Sequence, residues 1–261
     1  MARPHEARQV AESFGEDAER YDRTRPRYPD ALIERIAATG SDVLDVGSGT
    51  GIAARQLQAA GCRVLGVEPD ARMAAFGRSH GVPAEVATFE AWEPAGRVFD
   101  VVVAGQAWHW VDPVAGAAKA AQVLRPGGRL VVFWNAFEVP PELADAFNAV
   151  YGRVLPGSPV SLTTRDAYPT LAAIAADGMR GAFGEPEEWR FPWQREYTRD
   201  EWLAQVPTFG GHTTLAADQR AALVAGIGAA IDAVGGRFVM GYTTLAVVAR
   251  PCPVDHGRRD S

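Results

Sequence analysis

The chain has 261 residues, of which 47% are hydrophobic and 22% charged, and its formal net charge at pH 7 is −6. This composition is typical of a globular protein with a substantial core and argues against a disordered chain. The acidic balance, with no cluster of basic residues interleaved with aromatic ones, disfavours nucleic acid as a partner. No apolar run is long enough to span a membrane and the N-terminus lacks a secretory pattern, so we expect a cytoplasmic protein. Cys62 and Cys252 lie far apart without a histidine at ligand spacing, which predicts neither a disulfide framework nor a metal site.

The segment ahead of the first predicted strand combines short helices with two proline pairs. A helix is predicted around Asp17–Asp22, and the pairs Arg25-Pro26 and Tyr28-Pro29 favour an extended path after it. Asp30 is placed to cap the next helix, over 31–38. Aromatic and basic side chains therefore stand just before the strand, where they can fold over a ligand.

A glycine-rich turn follows the first predicted strand. Val43–Val46 is an apolar run with one acid, typical of a central parallel strand, and alternate glycines at 47, 49 and 51 predict a tight turn into a helix over 52–60. In the dinucleotide-binding fingerprint the third glycine stands one position later, where this chain has Ile52. The turn also lacks the lysine and following serine or threonine of a phosphate-binding loop. We therefore expect exposed main-chain N–H groups that hold a ligand other than a pyrophosphate.

Two acids near this turn indicate the chemistry of the ligand. Asp45 stands two residues before the first glycine, where it would repel a pyrophosphate and attract a cation. Glu68 ends the second predicted strand, Arg63–Glu68, and an acid at this place in an open α/β sheet binds ribose hydroxyls. The pair Pro69-Asp70 then begins the next helix.

Two further predicted strands end in motifs with polar and aromatic residues. The strand over 84–87 leads into the tripeptide Thr-Phe-Glu at 88–90, and the strand over 100–104 leads into the loop 106–112, Gln-Ala-Trp-His-Trp-Val-Asp. Ligands of doubly wound sheets bind at the carboxyl ends of the strands, so both motifs are candidate site elements. Asp112 is predicted to cap the helix that follows, over 113–124.

The rest of the chain alternates helices with late strands. A Leu-Arg-Pro-Gly-Gly turn at 124–128 precedes a fifth strand over 129–133. Pro192 disfavours a central place in the sheet for the strand around it. The later predicted elements are helices over 141–154, 166–177, 199–205 and 216–234, the third capped by Thr198, and strands over 187–198 and 237–250.

The order of these motifs over 41–135 resembles the core of class I S-adenosylmethionine-dependent methyltransferases, of the small-molecule type with a methyltransferase domain 11. The opening A-x-x-Y-D-x-x-R-P-x-Y-P at 18–29 is similar to that of several small-molecule members. The resemblance implies a Rossmann-like α/β fold, a doubly wound, seven-stranded, mostly parallel sheet with an antiparallel C-terminal hairpin. The implied parts are an N-terminal helical lid segment (1–40), a cofactor-binding core (41–137), a helical lid insertion (138–182), the C-terminal part of the core sheet (183–250) and a disordered tail (251–261).

The resemblance also implies roles for individual residues. The cofactor would be S-adenosyl-L-methionine, converted to S-adenosyl-L-homocysteine. The residues expected to hold it are Tyr21, Arg25, Asp45, Gly47, Gly49, Gly51, Glu68, Pro69, Thr88, Phe89 and Gln106. Thr88 stands where many members have aspartate, so a backbone contact from Phe89 is the expected adenine contact. Tyr28, Trp108 and Trp110 are expected to form an acceptor pocket.

The reaction implied is in-line transfer of a methyl group to an oxygen, nitrogen or carbon of a small molecule. His109, the one histidine at a strand end among these motifs, is the candidate catalytic base, with packing of the aromatic loop as its alternative role. We expect a monomer or homodimer with no metal, nucleic acid or membrane partner. An NAD(P)-dependent oxidoreductase and a non-catalytic S-adenosylmethionine-binding protein are the alternatives.

Overall fold

The computed structural model describes residues 13–156, 167–210, 212 and 215–252. In this part of the chain seven strands form one sheet, in the order β3-β2-β1-β4-β5-β7-β6. The strands are β1 Asp42–Val46, β2 Arg63–Glu68, β3 Ala84–Val86, β4 Phe99–Gly105, β5 Leu124–Glu138, β6 Glu187–Thr198 and β7 Arg237–Ala249. The α-helices are α1 Ala18–Thr24, α2 Asp30–Ala37, α3 Ile52–Ala59, α4 Ala71–Ser79, α5 Pro113–Val123, α6 Pro141–Val154, α7 Ala167–Met179, α8 Arg199–Gln205 and α9 Ala217–Ala233. Short 3-10 helices lie at Ser13–Asp17, Trp108–Trp110 and Val206–Thr208.

The sheet confirms the predicted fold class. Strands β1 to β5 pair in parallel, whereas β7 is antiparallel to both of its neighbours, β5 and β6. The two late strands are joined through α8 and α9 instead of a tight turn. Pro192 lies on β6, the edge strand, as its missing N–H requires.

The two faces of the sheet carry separate apolar layers. On one face the side chains of Leu32 and Leu57, from α2 and α3, are fully buried against the sheet with Val101. On the other face α5 and α7 cover residues such as Val102 and Leu130. This arrangement leaves the carboxyl ends of β1, β2 and β4 side by side at one edge, which is where a doubly wound sheet binds its ligand.

A third apolar cluster lies beyond the parallel part of the sheet. There α6, α8 and α9 pack on the extended antiparallel strands β6 and β7, with Phe147, Trp202, Leu223 and Phe238 among the buried residues. The predicted lid insertion thus contributes α6 to this cluster and α7 to the layer below the parallel strands. The division of the chain into lid and core stays a prediction.

Two local predictions are wrong, and others are confirmed. Pro29 occupies the N-cap of α2 and Asp30 is its first helical residue, where a negative charge near the N-terminus remains favourable. Residues 124–128 belong to β5. Its pairing with β4 shifts register there, because Phe99 of β4 is opposite Leu124 and Val101 is opposite Arg129, so the predicted turn is an irregular stretch within the strand. The caps at Asp112 and Thr198 are present as predicted.

Within the described ranges no helix is long and apolar enough to cross a membrane. The same residues contain no group of three or more histidine, cysteine, aspartate or glutamate side chains placed to hold a metal ion. The disordered tail was predicted from residue 251, but Pro251 forms a β-bridge with Phe183 and the N–H of Cys252 donates to the carbonyl of Ala182 at 3.0 Å. The rest of the predicted tail, 253–261, lies outside the described residues.

Candidate functional site

The turn between β1 and α3 is built from three glycines in the left-handed region. φ is +67° at Gly47, +54° at Gly49 and +89° at Gly51, values that L side chains rarely adopt. The N–H of Gly47 donates to the carbonyl of Val67 at 2.8 Å, which joins the turn to the end of β2. A Cβ at Gly51 would lie 2.8 Å from Val82, whereas one at Gly49 would meet nothing nearer than 3.8 Å. Gly51 therefore serves close packing, and the Gly49 side of the turn is open.

Glu68, at the end of β2, faces this turn. One carboxylate oxygen accepts a hydrogen bond from the N–H of Gly49 at 2.8 Å, and the other accepts one from the N–H of Asp70 at 2.9 Å. Glu68 is only 7% exposed. Each carboxylate oxygen retains a lone pair, so the acid predicted to bind ribose hydroxyls is held in place with accepting capacity to spare.

Asp45 is a second buried carboxylate, beneath the same turn. It is 1% exposed, and its Oδ2 has no hydrogen-bond partner among the described residues. Burial, and to a smaller extent the charge of Glu68, raises the pKa of Asp45 to about 8. Burial also raises the pKa of Glu68 to about 7, against the lowering effect of its two backbone hydrogen bonds. Two acids that are this costly to ionise together suit a ligand that brings positive charge.

A cleft with about 780 Å³ of empty volume opens at this edge of the sheet. The predicted site residues that line it are Tyr21, Gly47, Gly49, Glu68, Pro69, Thr88, Phe89, Gln106 and Trp110. The cleft brings together segments from the N-terminal helix to the aromatic loop after β4. Its walls combine aromatic side chains, the carboxylates of Glu68 and Glu90 and open main chain, which suits a ligand with a planar ring, hydroxyls and a cationic end. Three predicted cofactor residues do not line the cleft: Arg25, Asp45 and Gly51.

Comparison with known proteins identifies the family of this site. A sequence model of the methyltransferase domain matches residues 44–132, the stretch that carries the turn, Glu68 and most of the cleft. An uncharacterized methyltransferase of Mycobacterium tuberculosis (strain ATCC 25618 / H37Rv) is 39% identical over 132 residues, 49% of this chain and 54% of the relative. The chain thus spans about half the length of that relative.

Two kinds of evidence extend the match beyond the core. A malonyl-(acyl-carrier protein) O-methyltransferase of Enterobacter lignolyticus is 31% identical over 190 residues, 69% of this chain and 72% of the relative. The solved structure of a protein of Anaeromyxobacter dehalogenans, assigned as a type II methyltransferase, superposes with a TM-score of 0.64 at 25% identity, covering 87% of this chain and 97% of the other. The chain belongs to the class I S-adenosylmethionine-dependent methyltransferases.

Gln106 occupies a strained position at the end of β4. Its φ is +57°, uncommon for a residue with a side chain, and its N–H donates to the carbonyl of Phe133 at 2.8 Å. Strain of this kind is retained where the surrounding structure fixes a functional side chain. Gln106 lines the cleft, and its side chain acts against the rise that burial causes in the pKa of Tyr168 on α7, so it faces the predicted lid insertion.

Tyr28 borders the cleft without lining it. Gln56 of α3 holds its main chain on both sides, because the N–H of Tyr28 donates to Oε1 at 3.0 Å and its carbonyl accepts from Nε2 at 2.8 Å. A Cβ placed on Gly105, which lines the cleft, would lie 2.7 Å from the Tyr28 hydroxyl. Burial raises the pKa of Tyr28, so the group behind the cleft wall is a neutral phenol.

The aromatic loop after β4 separates its three predicted residues. Trp110 lines the cleft, whereas Trp108 is 2% exposed and belongs to the apolar layer with Phe89. Nδ1 of His109 accepts a hydrogen bond from the indole N–H of Trp134 at 3.2 Å, and burial lowers the pKa of His109 to about 4. His109 is thus a neutral imidazole whose Nδ1 lone pair is engaged by the N–H of Trp134, and it does not line the cleft.

Several cleft residues carry no sequence signal of their own. Met73, Glu90, Ala107 and Val111 line the cleft but were not named individually as site residues, although the last three lie within the two predicted motifs. Glu90 follows the Thr88-Phe89 pair and accepts from the N–H of Asp112 at 2.9 Å. Its place in the tripeptide after β3 was a usable signal, whereas the alanine and valine of the loop are ordinary core residues by pattern.

Proposed function

We propose that this methyltransferase binds S-adenosylmethionine in the cleft beside the glycine turn and transfers its methyl group to a small-molecule acceptor. The observation that carries the proposal is the pair of buried acids at the carboxyl edge of the sheet. Asp45 has an orphaned carboxylate oxygen, and Glu68 is fixed by Gly49 and Asp70 with lone pairs to spare. A ligand with both a cationic end and ribose hydroxyls satisfies the two acids together.

The roles follow from the positions of the lining residues. Glu68 would accept hydrogen bonds from the ribose, and Asp45 would stabilise the positively charged end through the turn. Thr88 and Phe89 lie where the adenine ring would stand, with a backbone contact at Phe89. Tyr21 and Gln106 also line the cleft and would face the methionine end.

The chemistry asks mainly for alignment. When bound, the cofactor supplies a methyl group on a cationic sulfur, which a nucleophile displaces in line. The chain's part is to place the acceptor and to exclude water, and it needs no covalent intermediate with a protein side chain. The neutral His109, with its lone pair engaged by Trp134, fits packing of the loop better than proton removal. Acceptors that need no strong base, such as carboxylates or amines already deprotonated at neutral pH, fit this site best.

The activities of two relatives suggest which classes of acceptor to consider. Besides the malonyl-(acyl-carrier protein) O-methyltransferase, a demethylmenaquinone methyltransferase of Mycolicibacterium vanbaalenii is 31% identical over 180 residues, 65% of this chain and 78% of the relative. These two names concern an oxygen acceptor on an acyl carrier and a demethylmenaquinone. We therefore propose a small metabolite or natural product as the acceptor class.

The test is turnover with labelled cofactor. Purified protein is incubated with S-adenosylmethionine labelled in its methyl group and a panel of carboxylate, amine, phenol and quinol acceptors, and release of S-adenosylhomocysteine is measured. We expect release that depends on one acceptor class and is lost in Glu68→Ala. A protein that binds the cofactor but releases no product with any class would instead be a non-catalytic binder.

A further inference from the structure

A second cleft lies on the other side of Tyr28 from the cofactor cleft. It has about 1930 Å³ of empty volume and runs between the segment 22–30, α3 and the edge strand β6. Although the whole chain is acidic, five arginines line this cleft, against three carboxylates. The arginines are Arg23, Arg25, Arg27, Arg55 and Arg195, and the carboxylates are Asp22, Asp30 and Glu34. The local charge is therefore opposite in sign to that of the protein.

Arg25 lines this cleft, and its guanidinium is held by contacts with three other residues. Its guanidinium lies 4.9 Å from the ring centre of Tyr21 and 5.0 Å from that of Phe209, and it donates a hydrogen bond to the carbonyl of Thr208. Its Nε is buried without a hydrogen-bond partner among the described residues. Tyr21 lines the cofactor cleft, whereas Arg25 lines only the second cleft of the two. Its unpaired N–H is therefore a donor outside the cofactor cleft.

Arg195, on β6, lines the same cleft. Its guanidinium lies 4.5 Å from the ring centre of Tyr197, whose hydroxyl is buried and hydrogen-bonded to that of Tyr242 at 2.7 Å. Burial raises the pKa of Tyr197, and the positive charges of Arg195 and Arg25 both oppose that rise. Both guanidinium groups line the second cleft, Arg25 from the N-terminal segment and Arg195 from β6, and the positive charge of each reaches the buried hydroxyl of Tyr197.

Among the described residues neither arginine has a carboxylate within ion-pair distance, in contrast to Arg55, which pairs with Asp22 at 2.5 Å. Glu201, which feels the charge of Arg195, is engaged by the N–H and hydroxyl of Thr198. Two partly buried cations that line one cleft, neither ion-paired with a carboxylate among the described residues, repel each other. An oxyanion between them would remove the repulsion and satisfy the orphaned N–H of Arg25.

We propose that Arg25 and Arg195 bind an oxyanion, a carboxylate or phosphate, of the methyl acceptor. The inference rests on the proposed function and deepens it by naming an anionic acceptor. Tyr21 lines the cofactor cleft and lies against the guanidinium of Arg25, so the anion site is next to that cleft, and the proposal places the other end of the acceptor at the methyl group. Arg195 is a specificity-determining residue of the second cleft, and Arg25 connects that cleft to Tyr21.

The test measures binding of malonate and of inorganic phosphate by calorimetry to protein saturated with S-adenosylhomocysteine, at ionic strength matched with chloride. We expect saturable binding of at least one probe, weakened about tenfold or more in Arg25→Gln and in Arg195→Gln, because each removes a charge-assisted contact. Arg190→Gln is the matched control, since Arg190 lies on the same strand and pairs with the neighbouring Glu188 instead. Preference for malonate indicates a carboxylate acceptor, and preference for phosphate indicates a phosphate ester.

Binding of the cofactor product separates the possible failures. Wild-type protein that does not bind S-adenosylhomocysteine contradicts the proposed function itself. Product binding without probe binding, or probe binding lowered equally by Arg190→Gln, overturns the anion site alone. The cofactor's own carboxylate is the rival occupant. If Arg195→Gln weakens S-adenosylhomocysteine much more than 5′-methylthioadenosine, which lacks that carboxylate, the anion belongs to the cofactor and the inference is wrong. Thermal melting of each variant confirms that it is folded.

Discussion

The carboxylate of Glu68 accepts a hydrogen bond of 2.8 Å from the main-chain N–H of Gly49. This contact joins the end of the second strand to the open side of the glycine turn across the carboxyl edge of the sheet. It can form because Gly49 has a left-handed backbone, with φ of +54°, that turns its N–H toward the acid. The carboxylate of Glu68 and the main chain of Gly49 therefore hold each other in place, and both line the cleft in which a ligand would bind.

Substitutions at two glycines with positive φ should separate the cost of backbone strain from the loss of ligand binding. Gly49→Val should abolish cofactor binding while leaving the fold intact, because its Cβ would project into open space beside the cleft. The positive φ should cost about 1 to 2 kcal/mol of stability. Gly61→Val is the control, since φ there is +91° and a Cβ would meet nothing within 4 Å. Calorimetric titration with S-adenosylhomocysteine and urea unfolding check both variants. Equal binding in the two would remove the special role of Gly49.

The buried acids predict a pH dependence of stability. The folded pKa values, about 8 for Asp45 and about 7 for Glu68, stand above the ordinary 3.8 and 4.5. Between these limits the folded protein holds more protons than the unfolded chain, so the stabilising contribution is complete near pH 4 and is lost as pH rises toward 8. In the absence of ligand, Asp45→Asn should flatten this decline and be more stable than wild type at pH 8.

Urea unfolding at pH 5 and pH 8 measures that effect. Replacing Asp145, an exposed acid on α6, by asparagine is the control and should leave the wild-type pH dependence unchanged. A decline as steep in Asp45→Asn as in wild type would show that Asp45 is ionised in the folded protein at low cost. The same variant should bind S-adenosylmethionine more weakly, because it loses the carboxylate that the proposed function places behind the turn, near the cationic end of the cofactor.

The geometry of His109 predicts a structural and not a catalytic role. His109→Gln preserves an acceptor for the indole N–H of Trp134, so it should retain stability and most of the turnover. His109→Leu leaves that buried donor unpaired and should lose about 1 to 3 kcal/mol of stability. A rate loss of a hundredfold or more in a folded His109→Gln variant, with disappearance of an ionisation from the pH–rate profile, would restore the histidine as the base.

Sequence patterns predicted the site where its parts are close along the chain. Val43–Val46, the glycine turn and Glu68 lie in one βαβ unit, so spacing alone places them at one edge of the sheet. The contacts of Arg25 could not be found this way. Thr208 and Phe209, which hold its guanidinium, come almost two hundred residues later, and only the packing of α8 beside the N-terminal segment brings them together.

The same limit applies to the apolar cluster on the extended strands. Helices α6 and α9 were predicted with nearly correct bounds, but their packing on each other depends on β7 entering the sheet between β5 and β6. Hydrophobic periodicity fixes which face of a helix is buried and leaves its partner open. Gln56, which clamps Tyr28, likewise has no local signal, because a glutamine on a helix is usually solvated.

The proposed lid predicts protection on binding. The N-terminal segment and the insertion after β5 both leave the sheet beside the cleft, so closure over the ligand should slow amide exchange in 14–28 and 138–182. Hydrogen exchange with and without S-adenosylhomocysteine measures this, and β1 serves as an internal reference that should change little. Exchange that is already slow in both segments and unaffected by ligand would indicate a rigid cap.

The most direct test of the account is calorimetric titration of the wild-type protein with S-adenosylmethionine and with NADH, repeated with Glu68→Ala. We expect saturable one-to-one binding of S-adenosylmethionine and no binding of NADH. The affinity of the variant for S-adenosylmethionine should be about ten- to a hundredfold lower, because one charge-assisted contact is lost. Binding of NADH in preference, or wild-type affinity for S-adenosylmethionine in Glu68→Ala, would contradict it.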